Sequence, residues 1–263
     1  MTFDGWPAEA LDFYEHLEAD NSKTFWQSHK DRYEQAVREP MERLLDELEP
    51  EFGPAKIFRP NRDVRFSADK SPYKTHIGAH LAAGGYVQLS ADGLACGNGL
   101  YRLAPDQLDR YRASVAEDVS GAELERVAAR VRRAGPEVVG RDSLKSAPRG
   151  YPKDHPRIEL LRHKGLIAWQ EWAPGPWLGT RAAYERITGF LRASQPSRTG
   201  WTATSAPPSC PTASHPHTAE ANTDGTRRAP VESTGALPHI HVTASPRHFT
   251  NGSTAITTNS SVR

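Results

Sequence analysis

An α+β domain, an antiparallel sheet with N-terminal and C-terminal helices packed on it, is the fold class this sequence predicts. Three observations predict it. Apolar residues recur at helical spacing near both ends of the first 193 residues, the stretch between them alternates with period two, and Asp92-Gly93 sits between two short apolar runs as a hairpin turn. Helices, then strands, then helices argue against alternating βαβ units.

Taken in order, Ala10, Leu11, Phe13, Tyr14 and Leu17 make one face of a short helix that Pro7 opens. Asn21 or Ser22 caps a longer helix with a stripe of Phe25, His29, Tyr33, Val37, Met41, Leu44 and Leu48, which Pro40 kinks or restarts. After Pro54 the period changes. Arg62, Val64 and Phe66 are expected on one face of a strand, with Asp63, Arg65 and Ser67 on the other. Ala68 to Pro72 reads as a turn, and from Lys74 to Leu81 the residues Thr75, Ile77, Ala79 and Leu81 point to the core. Tyr86 to Leu89 and Leu94 to Tyr101 flank the Asp-Gly turn; Gly97 and Gly99 weaken the second of these strands unless something approaches its backbone closely. Helices follow from Pro105 and over Ala122 to Arg133, stopped by Gly135-Pro136. Ser146 to His155 is a loop, Pro156 starts a short helix, Leu166 to Trp172 returns to the sheet, and Leu178 to Arg192 closes the domain as a helix.

The folded unit is expected over residues 5–193. From Ser194 onward the chain is rich in Ser, Thr and Pro, has no Lys and holds only three acids (Glu220, Asp224, Glu232), so it is expected to be a disordered tail. Its composition matches out-of-frame translation of a GC-rich gene as well as it matches an evolved linker. With the tail and its five arginines set aside, the rest carries a net charge of −1, which disfavours nucleic acid as a partner. Only Cys96 and Cys210 are present, so no disulfide framework holds the domain, and a reducing, cytoplasmic setting is expected. The acidic start has no leader pattern, and no apolar run approaches the roughly 20 residues of a membrane span.

Against this neutral background one segment stands out. Between Arg59 and His76 lie five fixed cations (Arg59, Arg62, Arg65, Lys70, Lys74) and two carboxylates, Asp63 and Asp69. Such a concentration binds an anion or locks the fold. Three blocks, N-S-K-T-F-W at Asn21 to Trp26, R-D-V-R-F-S-A-D-K-S-P-Y-K-T-H at Arg62 to His76 and P-R-G-Y-P-K-D-H-P from Pro148, occur in this order. Together they resemble the bacterial and fungal family known as domain of unknown function 2461, over roughly residues 5–193. The resemblance implies no particular reaction.

The candidate ligand-binding residues are Arg62, Arg65, Lys70, Lys74, His76 and Arg149, the last from a second basic loop, Lys145 to Tyr151, that is expected to converge on the first. Arginine offers a planar fork of donors and lysine a mobile point charge, so the set suits a small anionic or phosphorylated ligand. The competing reading is a non-catalytic interaction domain in which the acids and cations form an internal lattice of ion pairs. His76 and His80 have the i, i+4 spacing of a helical zinc site, but on a strand they stand about 13 Å apart, too far to share a metal. No metal and no cofactor is expected. Asp154-His155-Pro156 reads as a helix start, and Trp169, Trp172 and Trp177 as core or as stacking surfaces. Nucleophile elbow, P-loop and dinucleotide fingerprint are all missing, so the motifs define no enzyme class.

Overall fold

The computed structural model describes residues 2–65 and 67–205, with side chains through residue 195. Six strands form one antiparallel sheet in the order β1-β2-β3-β4-β6-β5. They are β1 (Ala55–Ile57), β2 (His76–Leu81), β3 (Tyr86–Ser90), β4 (Gly93–Leu100), β5 (Glu137–Arg141) and β6 (Gly165–Trp172). Helices α1 (Ala8–Ala19), α2 (Lys23–Ser28), α3 (Lys30–Arg32) and α4 (Glu39–Phe52) precede the sheet. Helices α5 (Pro105–Ala116) and α6 (Asp118–Arg133) lie between β4 and β5, α7 (Ile158–Arg162) precedes β6, and α8 (Ala182–Ser205) ends the described chain. This is the α+β architecture that the periodicities predict.

The helices share one face of the sheet. Ile77, Ala79 and Leu81 of β2, Val87 and Leu89 of β3, Leu94 and Cys96 of β4 and Ala168 of β6 join one buried core with Phe13, Tyr14 and Leu17 of α1, Met41, Leu44 and Leu48 of α4 and Ile187 and Leu191 of α8. Burial raises the Cys96 thiol far above its usual value, so it packs as an apolar group. Phe3 and Trp6, ahead of the first helix, are buried too; Arg181 of the turn before α8 holds them by donating to the Phe3 carbonyl and pairing with Glu47.

The α2–α4 path shows how a proline is accommodated. Ser22 Oγ accepts from Phe25 N at 3.1 Å and caps α2. A π-helical segment, Tyr33–Arg38, then precedes α4, with Pro40 in the first turn of α4, where a missing N–H costs little. The stripe survives, with Tyr33, Val37, Met41, Leu44 and Leu48 all buried.

Four expectations need correction. Residues 62–65 are not a strand: Asp63 accepts from Arg65 N and Ser67 N donates to Val64 O, so the backbone groups close local turns instead of a ladder. Glu137–Arg141, unread in the sequence, is the edge strand β5. Helix α6 starts at Asp118 because Glu117 caps it, accepting from Val119 N and Ser120 N. The last helix continues past Arg192. Ser194 is fully buried, accepts from Asn98 Nδ2 at 3.0 Å and donates to Leu191 O, a polar pair that fixes α8 against β4 beyond the expected boundary. The tail expected from Ser194 onward falls mostly on residues 206–263, outside the described residues. No helix among the described residues is long and apolar enough to cross a membrane.

Candidate functional site

The ribbon that joins β1 to β2 carries the basic segment. Beyond the last paired residues of β1 the chain continues loosely antiparallel, with Phe58 N donating to Gly78 O, Lys74 N to Pro60 O and Arg62 N to Pro72 O, and an isolated bridge joins Asn61 to Tyr73. Residues 63–65 and 67–71 belong to the tip. Asn21 clamps the ribbon from the helical side: its Oδ1 accepts from Tyr73 N at 2.9 Å and its Nδ2 donates to Tyr73 O at 3.1 Å. The Tyr73 ring stacks on Trp26 with centroids 4.3 Å apart and planes 9° apart. The first two sequence blocks are therefore one physical unit, a bidentate amide and an aromatic stack.

Within the tip each carboxylate takes one arginine. Arg62, its side chain 10% exposed, pairs with Asp69, which also accepts from Ser71 N and Oγ. The Ser71 hydroxyl, Arg62 and the Ser71 amide hold the Asp69 carboxyl far below the usual carboxylate range. Arg65, 77% exposed, forks onto Asp63 at 2.9 and 2.6 Å and lowers its pKa to about 2. The lysines differ. Lys70 Nζ donates to Val64 O at 3.0 Å and Lys74 Nζ to Arg59 O at 2.8 Å, and no carboxylate among the described residues lies within ion-pair distance of Arg59, Lys70 or Lys74. Burial, aided by the Arg59 charge, lowers the Lys74 pKa.

His76 opens β2 opposite Ser90, and His80 stands opposite Lys56 and Tyr86. Both lie on the sheet face away from the helices, four residues apart along an extended strand, so the histidines cannot close on one ion.

The two basic loops are anchored far apart, and no hydrogen bond or ion pair among the described residues joins Arg149 to the first loop. The first loop enters β2 at the strand end where Ser90 meets Gly93 and Leu94 meets Trp172. The second leaves β5 at Arg141, opposite Gly165 at the other end of β6 and at the far edge of the sheet. At roughly 4.8 Å per strand and 3.3 Å per residue the anchors stand at diagonal corners about 30 Å apart. Arg149 is exposed, while Tyr151 packs partly into the core and His155 Nδ1 accepts from Arg157 N, helping to start the turn that leads into α7.

Arg157, which sequence reasoning missed, is the most embedded cation of that corner. Its side chain is 9% exposed and donates to Val115 O (2.7 Å), Ala116 O (3.3 Å), Glu117 O (3.2 Å) and Asp118 Oδ1 (3.0 Å). It satisfies carbonyls left open at the end of α5, and Gly121 leaves room for it, since a Cβ there would overlap Arg157 Nε. Only the pairing of a loop arginine with a helix junction some forty residues away reveals this role, and no local pattern carries it.

Aromatic side chains cross the second sheet face. Phe58, Tyr86 and Trp169 form a row, with centroids 6.2 Å apart for the first pair and 6.3 Å for the second, and the Tyr86 and Trp169 planes lie 19° apart. Glycines make this possible. A Cβ on Gly97 would lie 2.8 Å from the Trp169 ring, and one on Gly78 would collide with Tyr86, so the close approach anticipated at Gly97 is an indole lying on the strand. Tyr86 Oη donates to Gln88 Oε1 and Trp169 Nε1 to Glu171 Oε1, both at 2.8 Å. Nearby in the sequence, Trp172 packs edge-on to Phe190 and Trp177 lies under Arg186.

No curated protein matches this chain, and no solved structure does. A family model does, over residues 9–199, a span that takes in all three blocks. The chain belongs to the family described as "Conserved hypothetical protein (DUF2461)".

Proposed function

We propose that the loop from Arg59 to His76 binds a small anionic or phosphorylated ligand, with Arg59, Lys70 and Lys74 as the charged contacts and Arg62 and Arg65 holding the loop in shape. One observation carries this reading. Asp63 and Asp69 each form an ion pair with an arginine, whereas Arg59, Lys70 and Lys74 form none among the described residues, Arg59 acting on Asp63 only at longer range. An ammonium that gives one hydrogen bond to a carbonyl keeps two donors and its whole charge for an anion. His76, at the start of β2, is the adjacent group able to take or give a proton.

The alternative, a non-catalytic interaction domain whose cluster is an internal lattice, draws support from the depth of Arg62 and its bond to Asp69. A melting experiment separates the two. Phosphate and pyrophosphate should raise the melting temperature of the whole chain in a dose-dependent way, since a ligand of the folded state adds its binding free energy to stability. Lys70→Ala and Lys74→Ala should each weaken that response while leaving the ligand-free melt close to that of the parent. No response to either anion would leave the lattice as the function of these charges.

A further inference from the structure

The aromatic row starts where the basic loop ends. Lys74 Nζ stands 5.5 Å from the centroid of Phe58, the first ring, and the row then crosses the sheet to Trp169. Tyr86, 8% exposed, is its floor; Phe58 and Trp169, both half-buried, flank it. Alternation puts these rings, with Gln88, Glu171 and His76, on the face whose residues lie outside the common helical core. The ends of the row differ in charge. At one end Lys74 and Arg59 offer donors to an anion, and at the other Glu171, exposed and with one oxygen taken by Trp169, offers an acceptor.

We infer that this face is a stacking surface for the ring of a nucleoside phosphate, with the phosphate toward Lys74 and Arg59 and the exocyclic amino group of the base toward Glu171. The inference rests on the anion-binding reading and names the ligand class for that same site. Charge complementarity argues for it, because a nucleotide is anionic at one end and carries amino donors at the other, with a flat π-face between. The indole is held flat by Gly97 beneath it and fixed in plane by Glu171, so little side-chain freedom is lost when a base stacks on it. Adenine and guanine offer large faces, and aromatic stacking tolerates either.

The test is a comparison of affinities, by calorimetry on the whole chain, for adenosine monophosphate, ribose 5-phosphate and inorganic phosphate. Adenosine monophosphate is expected to bind about tenfold or more tightly than ribose 5-phosphate, the gain that stacking one base supplies. Trp169→Leu should erase that ratio and leave the phosphate affinity unchanged. Equal affinity for adenosine monophosphate and ribose 5-phosphate would overturn the stacking surface while the anion site stands. Binding of none of the three would remove both. Should Trp169→Leu fail to fold, the ratio measured on the parent chain decides by itself.

Discussion

The two basic loops solve the same electrostatic problem at different ranges. In the loop between β1 and β2 the arginines find their carboxylates within the loop, Arg65 two residues from Asp63 and Arg62 seven residues from Asp69. In the loop between β5 and α7, Arg157 reaches across some forty residues to the junction of α5 and α6, and its acceptors are mostly carbonyls. Local pairing leaves the first loop dense in charge and easy to notice. Remote pairing hides Arg157 among ordinary residues, although it is no more exposed than Arg62 of the first loop. Charge density in a sequence does not separate the embedded Arg62 from the exposed Arg65, and it is a poor guide to which cation the fold depends on.

The largest effect should come from the buried end of this comparison. Arg157→Ala strips a guanidinium from three helix-end carbonyls, and a loss of about 3 kcal/mol in urea unfolding is expected; Arg149→Ala, exposed in the same loop, should leave the unfolding curve in place. Equal effects would break the distinction between the two cations. Ending the chain at Ala193 removes the Ser194 hydroxyl from Asn98 inside the core and should cost about 2 kcal/mol, whereas ending it at Ser205 should not. Asn21→Ala releases both backbone bonds to Tyr73 and should cost about 1.5 kcal/mol, with the tip residues 63–65 and 67–71 exchanging amide hydrogens faster.

Smaller effects sharpen the contrast inside the first loop. Arg62→Ala should lower the melting temperature by roughly 3 °C and Arg65→Ala should not move it, because the first side chain is 10% exposed and the second 77%. The smallest signal is in acid. Backbone N–H donors at the start of α6, Ser120 first, lower the Glu117 pKa from its usual 4.5 to about 2. A carboxylate with a depressed folded-state pKa adds stability that is complete above its unfolded value and is lost as the pH falls through the folded one. Glu117→Gln should therefore melt below the parent at pH 6, and the gap should shrink between about pH 4.5 and pH 2. A gap that stays constant over that window would show that the cap does not act through its charge.

Much of the fold is legible where local pattern and tertiary demand agree. The alternation of Ile77, Ala79 and Leu81, the hairpin between β3 and β4 and the stripe from Tyr33 to Leu48 stand as read, with Ala91-Asp92 as the two turn residues and Gly93 already paired with Ser90. Failures come where a side chain competes with the ladder or where the partner is distant. Asp63 and Asp69 draw the backbone at Arg65 and Ser71 into turns although the apolar alternation after Arg62 resembles a strand. Glu137 to Arg141 offers two adjacent valines and a glycine and no period-two alternation, and it pairs with β6 only after α7 has brought the chain back. Of the candidate site residues, those from Arg62 to His76 share one ribbon, while Arg149 belongs to a loop anchored at another corner of the sheet. The row of Phe58, Tyr86 and Trp169 joins three separate strand regions, so only the register of the sheet brings it together.

The π-helical segment Tyr33–Arg38 has a consequence for how this chain tolerates change in length. A π turn holds one residue more than the α turn it replaces, so the segment amounts to a single-residue insertion absorbed without a loop. Deleting one residue there would let the helix revert to a continuous α spiral with its two ends still in phase, whereas deleting one residue from α4 itself would swing α2 and α3 by about 100° relative to the rest of α4. Phe25, Trp26 and Tyr33 would leave their ring contacts with Phe13 and Tyr73, and Asn21 would be carried away from the ribbon it clamps. The reading frame of the helix, counted in residues per turn, thus sets the position of the basic loop.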